Sequence, residues 1–173
     1  MKRVMFDTSV YGELILEINS LKKIEEQFSK KELIIYGNPI IRDELRDTPT
    51  RIRLGNRSAK ILLLQIYDKF IYKENHNIKI GKVTETIAEE YYNAYRGYGG
   101  NLSFKDVRND FLIVACASLK ELDIVVSHDT LTMLSDVSIK AYHKVNNENS
   151  LNDPKFITYK EYKKNLNFIY PSA

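Results

Sequence analysis

Apolar residues occur along the chain in two kinds of stretch, which alternate. Short apolar runs predict β-strands, at Val4–Phe6, Leu33–Tyr36, Phe70–Tyr72, Ile124–Ser127 and Ile139–Val145. Between them lie longer stretches with an apolar residue at every third or fourth position, the pattern of a helix with one buried side. Strands that alternate with helices predict an α/β fold, with a mostly parallel sheet covered by helices on both faces.

Capping residues predict where most of the helices begin. The predicted starts or caps are, in chain order, Tyr11, Pro39, Asn56, Thr86, Ser103 or Asp106, and Thr158. The first helix is expected to run unbroken to Ser29, and the helix opened by Thr86 to about Tyr95. Since no repeat, low-complexity segment or long linker interrupts the pattern, residues 1–173 are expected to form a single domain.

The composition is that of an ordinary globular protein, with 43% hydrophobic and 28% charged residues. No apolar stretch approaches the roughly 20 residues that span a bilayer, and the N-terminus lacks the apolar segment of a signal peptide. The single cysteine, Cys116, excludes an internal disulfide. These features predict a cytoplasmic protein without a membrane partner.

Positive charge is concentrated in the stretch from residue 51 to residue 60. The net charge is only +3, but this stretch contains no acid and four basic residues, namely Arg51, Arg53, Arg57 and Lys60. One interpretation is the solvated start of a helix. The other is contact with the phosphates of a nucleic acid.

Two acids, Asp7 and Asp129, follow predicted apolar strands. Ligands of open parallel sheets bind just beyond the carboxyl ends of the strands, where both acids are expected to lie. The alternative is that each is a turn or N-cap aspartate, because both precede possible helices.

Two further acids, Asp110 and Glu44, are expected on predicted helices. Asp110 lies too deep in its helix to cap it and leads into an apolar run, so it is expected near a buried edge; a structural salt bridge is the alternative. In the helix that begins at Pro39, helical spacing turns Glu44 toward the apolar side and Asp43 and Asp47 away from it.

These four carboxylates would repel one another if they met at one end of a sheet without a cation. A hard divalent cation such as Mg²⁺ resolves the repulsion, because it prefers oxygen ligands. Zinc is disfavoured, because the three histidines have no ligand spacing and Cys116 lies inside an apolar run.

Four short motifs resemble those of PIN-domain nucleases. VMFDTSV resembles the opening of that family, where an apolar strand delivers the first acid, here Asp7. IIRDEL, with Glu44, and NDFLIVACA, with Asp110, are similar to the second and third acidic motifs. IVVSHD resembles the fourth, with Ser127 as the small hydroxyl residue and Asp129 as the acid. The order and spacing of the motifs cover nearly the whole chain, so the chain resembles VapC-like toxin ribonucleases or a stand-alone relative.

This resemblance implies a fold and a chemistry. The fold is a three-layer α/β/α arrangement with strand order 3-2-1-4-5, and the reaction is hydrolysis of RNA phosphodiester bonds. Catalysis and the binding of Mg²⁺ or Mn²⁺ are assigned to Asp7, Glu44, Asp110 and Asp129. Thr8 and Ser127 are assigned supporting hydrogen bonds. Asp106 either supports the site or caps its helix.

The resemblance also implies partners. They are RNA, an antitoxin protein if the chain is the toxin of a toxin–antitoxin pair, and a second copy of the chain. Arg51, Arg53, Arg57 and Lys60 are the candidate RNA contacts. The dimer interface is expected to include part of Thr86–Tyr98, which is crowded with tyrosines. Tyr91 and Tyr95 have the spacing of core residues, which leaves Tyr92 and Tyr98 for a partner.

Two other functions compete with the nuclease. Haloacid-dehalogenase-like phosphatases also place an aspartate after the first strand, but they need a second acid two residues later, where this chain has Ser9. A catalytically silent PIN-fold module for RNA binding or assembly is the second alternative. The presence of all four acids argues against it, and metal-dependent cleavage of a short RNA would separate the two.

Overall fold

A computed structural model of the chain describes residues 1–71 and 74–169. Its central sheet has four parallel strands in the order β2-β1-β5-β6. These strands are β1 (Lys2–Phe6), β2 (Leu33–Tyr36), β5 (Ile124–Ser127) and β6 (Lys155–Thr158). A separate antiparallel hairpin is formed by β3 (Arg53–Leu54) and β4 (Arg57–Ser58).

Eight α-helices surround the sheet within the described residues. They are α1 (Thr8–Leu16), α2 (Ile18–Ser29), α3 (Pro39–Arg46), α4 (Ala59–Phe70), α5 (Lys82–Gly97), α6 (Phe104–Leu119), α7 (Asp136–Glu148) and α8 (Tyr159–Ile169). The β1-to-β2 and β5-to-β6 connections run toward opposite edges of the sheet. Right-handed crossovers therefore place their helices on opposite faces, which makes a three-layer α/β/α fold, as predicted.

The expected strand order, 3-2-1-4-5, is confirmed for its central neighbours but not at either edge. The predicted strand Phe70–Tyr72 is not present in the described residues: Phe70 ends α4, and Tyr72 lies outside them. Beside the end of β2, the described residues form a single parallel bridge, between Gly37 and Asn77.

The predicted last strand, Ile139–Val145, was wrong, because these residues lie within α7. The buried residues of α7 include Ser138, Ala141, Tyr142 and Val145, which recur at helical spacing. The edge strand beside β5 is β6, which follows α7 in the sequence.

Three predicted helix starts were also wrong. The first helix begins at Thr8 rather than Tyr11, and the stretch up to Ser29 contains two helices, which are separated at Glu17. Asn56 does not cap α4; it lies with Gly55 in the turn of the β3–β4 hairpin, where Gly55 has a φ of 58°. Thr86 lies inside α5, which begins at Lys82.

Three other starts are confirmed. Asn38 caps α3 by accepting a hydrogen bond from Ile41 N–H, and Pro39 is the first helical residue. Ser103 is the N-cap of α6. Thr158 and Glu161 exchange the hydrogen bonds of a capping box at the start of α8.

The core places the carboxyl ends of β1 and β5 side by side. Phe6 pairs with Val126 in the sheet, and both are fully buried. Helix α6 is buried on nearly all sides from Phe111 to Ser118, as its apolar sequence predicted. None of the helices within residues 1–71 and 74–169 combines the length and the apolar character that crossing a bilayer requires.

Candidate metal centre

Asp7 lies directly after β1, opposite Ser127 at the end of β5. Its side chain is 6% exposed, and its Oδ2 accepts hydrogen bonds from the hydroxyls of Ser9 at 2.8 Å and Ser127 at 2.9 Å. Although Asp7 occupies the N-cap position of α1, its side chain makes no capping bond. The N-cap interpretation therefore does not account for this buried carboxylate.

Glu44 is brought to the same edge by α3. A Cβ at Gly37 would lie only 2.3 Å from the Tyr67 hydroxyl oxygen, so a glycine there lets the chain turn closely past Tyr67 into α3. Glu44 is half-buried, whereas Asp43 and Asp47 are exposed, as helical spacing predicted.

Both carboxylate oxygens of Glu44 have a donor. The Thr8 hydroxyl donates to Oε2, and the Asn109 amide donates to Oε1 at 2.8 Å. Thr8 begins α1, and Asn109 precedes Asp110 in α6. The second acidic motif is thus tied to the first and to the third.

Asp110 lies in the second turn of α6, where its carboxylate accepts a hydrogen bond from the Thr132 hydroxyl at 2.8 Å. Burial raises the pKa of Asp110 to about 7, although the Thr132 hydrogen bond opposes the rise. Repulsion by the carboxylates of Asp7, Asp129 and Glu44 contributes to this rise. Because all three act on Asp110, the structure brings the four predicted acids into one electrostatic group.

Asp129 lies in a turn two residues after β5. Its Oδ1 accepts the backbone N–H groups of Leu131 at 2.8 Å and Thr132 at 2.9 Å, and its Oδ2 contacts the Thr132 hydroxyl. Burial raises the pKa of Asp129, but these hydrogen bonds outweigh it and hold the pKa below its ordinary value. The turn interpretation therefore accounts for Oδ1. The other oxygen, Oδ2, contacts the Thr132 hydroxyl, which also contacts Asp110.

None of the four carboxylates has a lysine, arginine or histidine as an ion-pair partner within the described residues. The ion pairs among those residues all lie elsewhere. The salt-bridge explanation of Asp110 is therefore not supported. A buried carboxylate group without a cation has the chemistry of a site for a hard divalent ion.

The side chains do not already form a metal cage. Within residues 1–71 and 74–169, no group of three or more Asp, Glu, His or Cys side chains is arranged to hold a metal ion. Hydroxyl and amide donors occupy carboxylate oxygens of each acid, for example Thr132 on Asp110 and Thr8 on Glu44. The donor atoms fit Mg²⁺ or Mn²⁺ in kind, and an ionised carboxylate has about four lone-pair sites, so these side chains can bind an ion while they keep their hydrogen bonds.

Of the predicted supporting residues, two contact the acids. Thr8 and Ser127 donate to Glu44 and Asp7. Asp106 instead accepts hydrogen bonds from the N–H and hydroxyl of Ser103, and these lower its pKa. Asp106 therefore belongs to the capping box of α6, as the partner of the N-cap Ser103.

Sequence reasoning missed three donors to the acids, namely Ser9, Asn109 and Thr132. Ser9 lies two residues after Asp7, and Asn109 directly precedes Asp110, so both were signalled by proximity to an acid. Thr132 contacts an acid 22 positions away, and no sequence pattern indicates that contact. Cys116 is fully buried, and burial raises the pKa of its thiol to about 12, which disfavours the thiolate form that binds metals.

The four basic residues lie before the hairpin (Arg51), in its two strands (Arg53 and Arg57) and at the start of α4 (Lys60). Arg51, Arg53 and Arg57 are exposed, and Lys60 is half-buried in the first turn of α4. Arg53 donates to the Asn56 carbonyl within the hairpin. Most of these charges are therefore displayed on and beside a hairpin rather than along a helix face.

No protein-family model and no curated protein sequence matches the chain. Solved structures of VapBC and FitAB toxin–antitoxin complexes do match it in fold. For VapBC2 from Rickettsia felis bound to a promoter DNA fragment, the TM-score is 0.57 and the identity 12%, over 91% of this chain and 98% of that chain.

Two further complexes agree with this match. For DNA-bound VapBC from Salmonella typhimurium the TM-score is 0.53 at 14% identity, over 91% of this chain and 98% of that chain. For FitAB bound to an IR36 DNA fragment it is 0.54 at 10% identity, over 90% and 94%. At these identities the likeness concerns the fold, so the chain has the PIN-like fold that its motifs predicted.

Proposed function

We propose that the protein is a metal-dependent ribonuclease that hydrolyses RNA phosphodiester bonds. Its centre would hold Mg²⁺ or Mn²⁺ on Asp7, Glu44, Asp110 and Asp129. The observation that carries this proposal is the meeting of four carboxylates from separate elements at the carboxyl edge of a parallel sheet, without an ion-pair partner among the described residues. The PIN-like fold of the chain supports it.

In this centre the four acids would bind the ion, and neighbouring polar side chains orient the acids. A bound divalent ion supplies a more acidic water and stabilises negative charge on the phosphate being cleaved. Ser9 and Ser127 fix the orientation of Asp7, and Thr8 and Asn109 fix that of Glu44. Side chains oriented in this way lose less freedom when the ion binds.

The test is cleavage of a short single-stranded RNA with Mg²⁺, with Mn²⁺ and with chelator. We expect Asp7→Asn, Glu44→Gln and Asp110→Asn each to lower the cleavage rate by about 100-fold or more, with the fold unchanged by circular dichroism. Asp43→Asn is the matched control, because Asp43 adjoins Glu44 in sequence but is exposed on α3. It should cleave at the wild-type rate.

Two results would contradict the proposal. If purified wild-type protein binds the RNA but leaves it intact with either ion, the silent RNA-binding module is correct. If Asp110→Asn unfolds the protein while Asp7→Asn keeps full activity, the carboxylates have a structural role.

We further propose that the protein is the toxin of a toxin–antitoxin pair, and that its antitoxin binds a groove between α1, α2 and α4. The VapBC and FitAB complexes of matching fold motivate this. The groove has a volume of ≈ 450 Å³ and is lined mainly by apolar side chains, including Leu14, Ile18, Leu54 and Ile66. Ile18 is 62% exposed, and exposed apolar surface of this kind favours a protein partner.

A protein encoded beside this gene is the partner to test. Co-purification with that protein should be lost in Ile18→Asp and kept in Val83→Asp, a control that alters an equally exposed apolar residue on α5. Retention of the partner by Ile18→Asp would place the binding surface elsewhere.

A further inference from the structure

Thr132 lies in the loop between β5 and α7, in a turn that Asp129 closes. The Thr132 N–H donates to Asp129 Oδ1 at 2.9 Å, and the Leu131 N–H donates to the same oxygen at 2.8 Å. The turn is tied back to β5, because the Asp129 N–H donates to the Ser127 hydroxyl oxygen at 2.9 Å. Thr132 is therefore held in a defined position relative to the sheet.

The hydroxyl of Thr132 joins two acids that lie on different elements. It lies 2.8 Å from Asp110 Oδ2 and also contacts Asp129 Oδ2. Asp110 belongs to α6 and Asp129 to the loop after β5, so this one hydroxyl sets how their carboxylates face each other.

The orientation of Asp110 depends on this single hydroxyl, whereas each of the other three acids has at least two hydrogen-bond donors. Asp7 accepts from two hydroxyls, Glu44 from a hydroxyl and an amide, and Asp129 from two backbone N–H groups. Within residues 1–71 and 74–169, Thr132 supplies the only hydrogen bond to the Asp110 carboxylate. Without it, no hydrogen bond from the described residues would fix the orientation of the Asp110 carboxylate.

We propose that Thr132 is a positioning residue of the centre, whose hydroxyl orients Asp110 toward Asp129 for binding of the divalent ion. This inference rests on the proposed function, because it assumes that these acids bind a metal. Groups that orient metal ligands typically change metal affinity by about 10–100-fold when they are removed. Thr132 does not itself need to contact the ion or the RNA.

The experiment compares Mn²⁺ binding to RNA-free protein, measured by calorimetry, in variants that keep or remove the hydroxyl. Thr132→Val has nearly the shape of threonine but lacks the donor, and we expect it to weaken the Mn²⁺ affinity by about 10-fold. Thr132→Ser keeps the hydroxyl and should remain within about twofold of the wild type. Thr130→Val is the control, because Thr130 is an exposed threonine of the same loop, and it should bind as the wild type does.

Cleavage kinetics give a second readout. At limiting Mn²⁺, Thr132→Val should lose kcat while its KM for RNA stays within about twofold of the wild type, and excess Mn²⁺ should restore kcat. A general loss of folding would not be rescued by Mn²⁺. If Thr132→Val does not fold, the pair Thr132→Ser and Thr132→Ala decides, because these two variants differ by the hydroxyl.

Equal Mn²⁺ affinity in folded Thr132→Val and wild-type protein would overturn this inference and leave the proposed function intact. In the same way, equal affinities of the Ser and Ala variants would overturn it. If the wild-type protein binds no Mn²⁺ and does not cleave RNA, the proposed function fails, and the role of Thr132 fails with it.

Discussion

The acids of the centre differ in how the protein compensates their charge. Asp129 accepts two backbone N–H groups, and its pKa lies below the ordinary value despite burial. Asp110 is more poorly solvated and is surrounded by carboxylates, so its pKa rises to about 7. In the metal-free protein Asp110 therefore takes up a proton at a higher pH than Asp129 does, and the charge of Asp110 opposes folding.

This difference predicts how stability depends on pH. The ordinary pKa of Asp110 is 3.8, so between that value and about 7 the folded state holds a proton that the unfolded state releases. The stabilisation is complete below about pH 4 and is lost as the pH rises through about 7. From pH 5 to pH 8, in chelator, wild-type protein should lose roughly 2–3 kcal/mol more stability than Asp110→Asn.

Denaturant unfolding at both pH values measures this difference. At pH 8 without metal, Asp110→Asn should be more stable than the wild type, because the like-charge repulsion is relieved. Asp43→Asn, which removes an exposed acid, should follow the wild-type pH dependence. Parallel pH curves for wild type and Asp110→Asn would show that Asp110 titrates normally.

At the level of residues, the sequence predicted where the acids lie better than it predicted which side chains donate hydrogen bonds to them. The inward turn of Glu44 followed from its spacing relative to Ile41 and Leu45, which are buried on the same helix. The contact between Thr132 and Asp110 could not be predicted, because it depends on the path of a loop and on side-chain rotamers. Such contacts between distant residues leave no periodic signal in a single sequence.

At the level of elements, predictions failed where a local signal had two interpretations. Apolar residues in Ile139–Val145 fit alternation as well as helical spacing, and the true edge strand β6 has only four residues. Asn56 resembles a helix cap, but Gly55-Asn56 is equally a hairpin signal. The apolar sequences of β1, β5 and α6 had no such ambiguity. Asp7 directly follows β1, Asp129 lies two residues after β5, and Asp110 lies in α6.

The β3–β4 hairpin supports a prediction about RNA. Its exposed arginines, Arg53 and Arg57, are expected to contact RNA phosphates beside the cleaved bond. Replacing both with alanine should weaken binding about equally across RNA sequences. The slope of log affinity against log salt should fall by roughly 0.7 for each lost contact on single-stranded RNA. Fluorescence anisotropy at several salt concentrations measures both quantities.

The control for the hairpin removes the same charge elsewhere. Lys120, which follows α6, and Lys155, which begins β6, are exposed and lie toward the opposite edge of the sheet from the acids. Their double alanine variant should bind RNA with the wild-type salt slope. An unchanged slope in the arginine variant would mean that the hairpin arginines are only solvated surface charges.

At the level of the whole molecule, the tyrosines of α5 divide into core and surface residues. Tyr91 is fully buried and Tyr95 is 5% exposed, as their spacing predicted. Tyr92 also serves its own chain: its ring packs on Phe104, and its hydroxyl donates to the Leu102 carbonyl. Of the two tyrosines predicted to be free, only Tyr98 is exposed, at 46%.

A homodimer whose interface includes part of Thr86–Tyr98 remains a prediction, and Tyr98 is the residue to test. Arginine at Tyr92 would disturb internal packing, whereas Tyr98→Arg should leave the fold intact and weaken a dimer by placing a charge in its interface. Light scattering at micromolar concentration should give twice the 20.2 kDa monomer mass for the wild type and a lower mass for Tyr98→Arg. Ile61→Arg, which changes an exposed apolar residue on α4, should keep the dimer mass. A monomeric wild type would refute the dimer, and a Tyr98→Arg protein that stays dimeric would place the interface elsewhere.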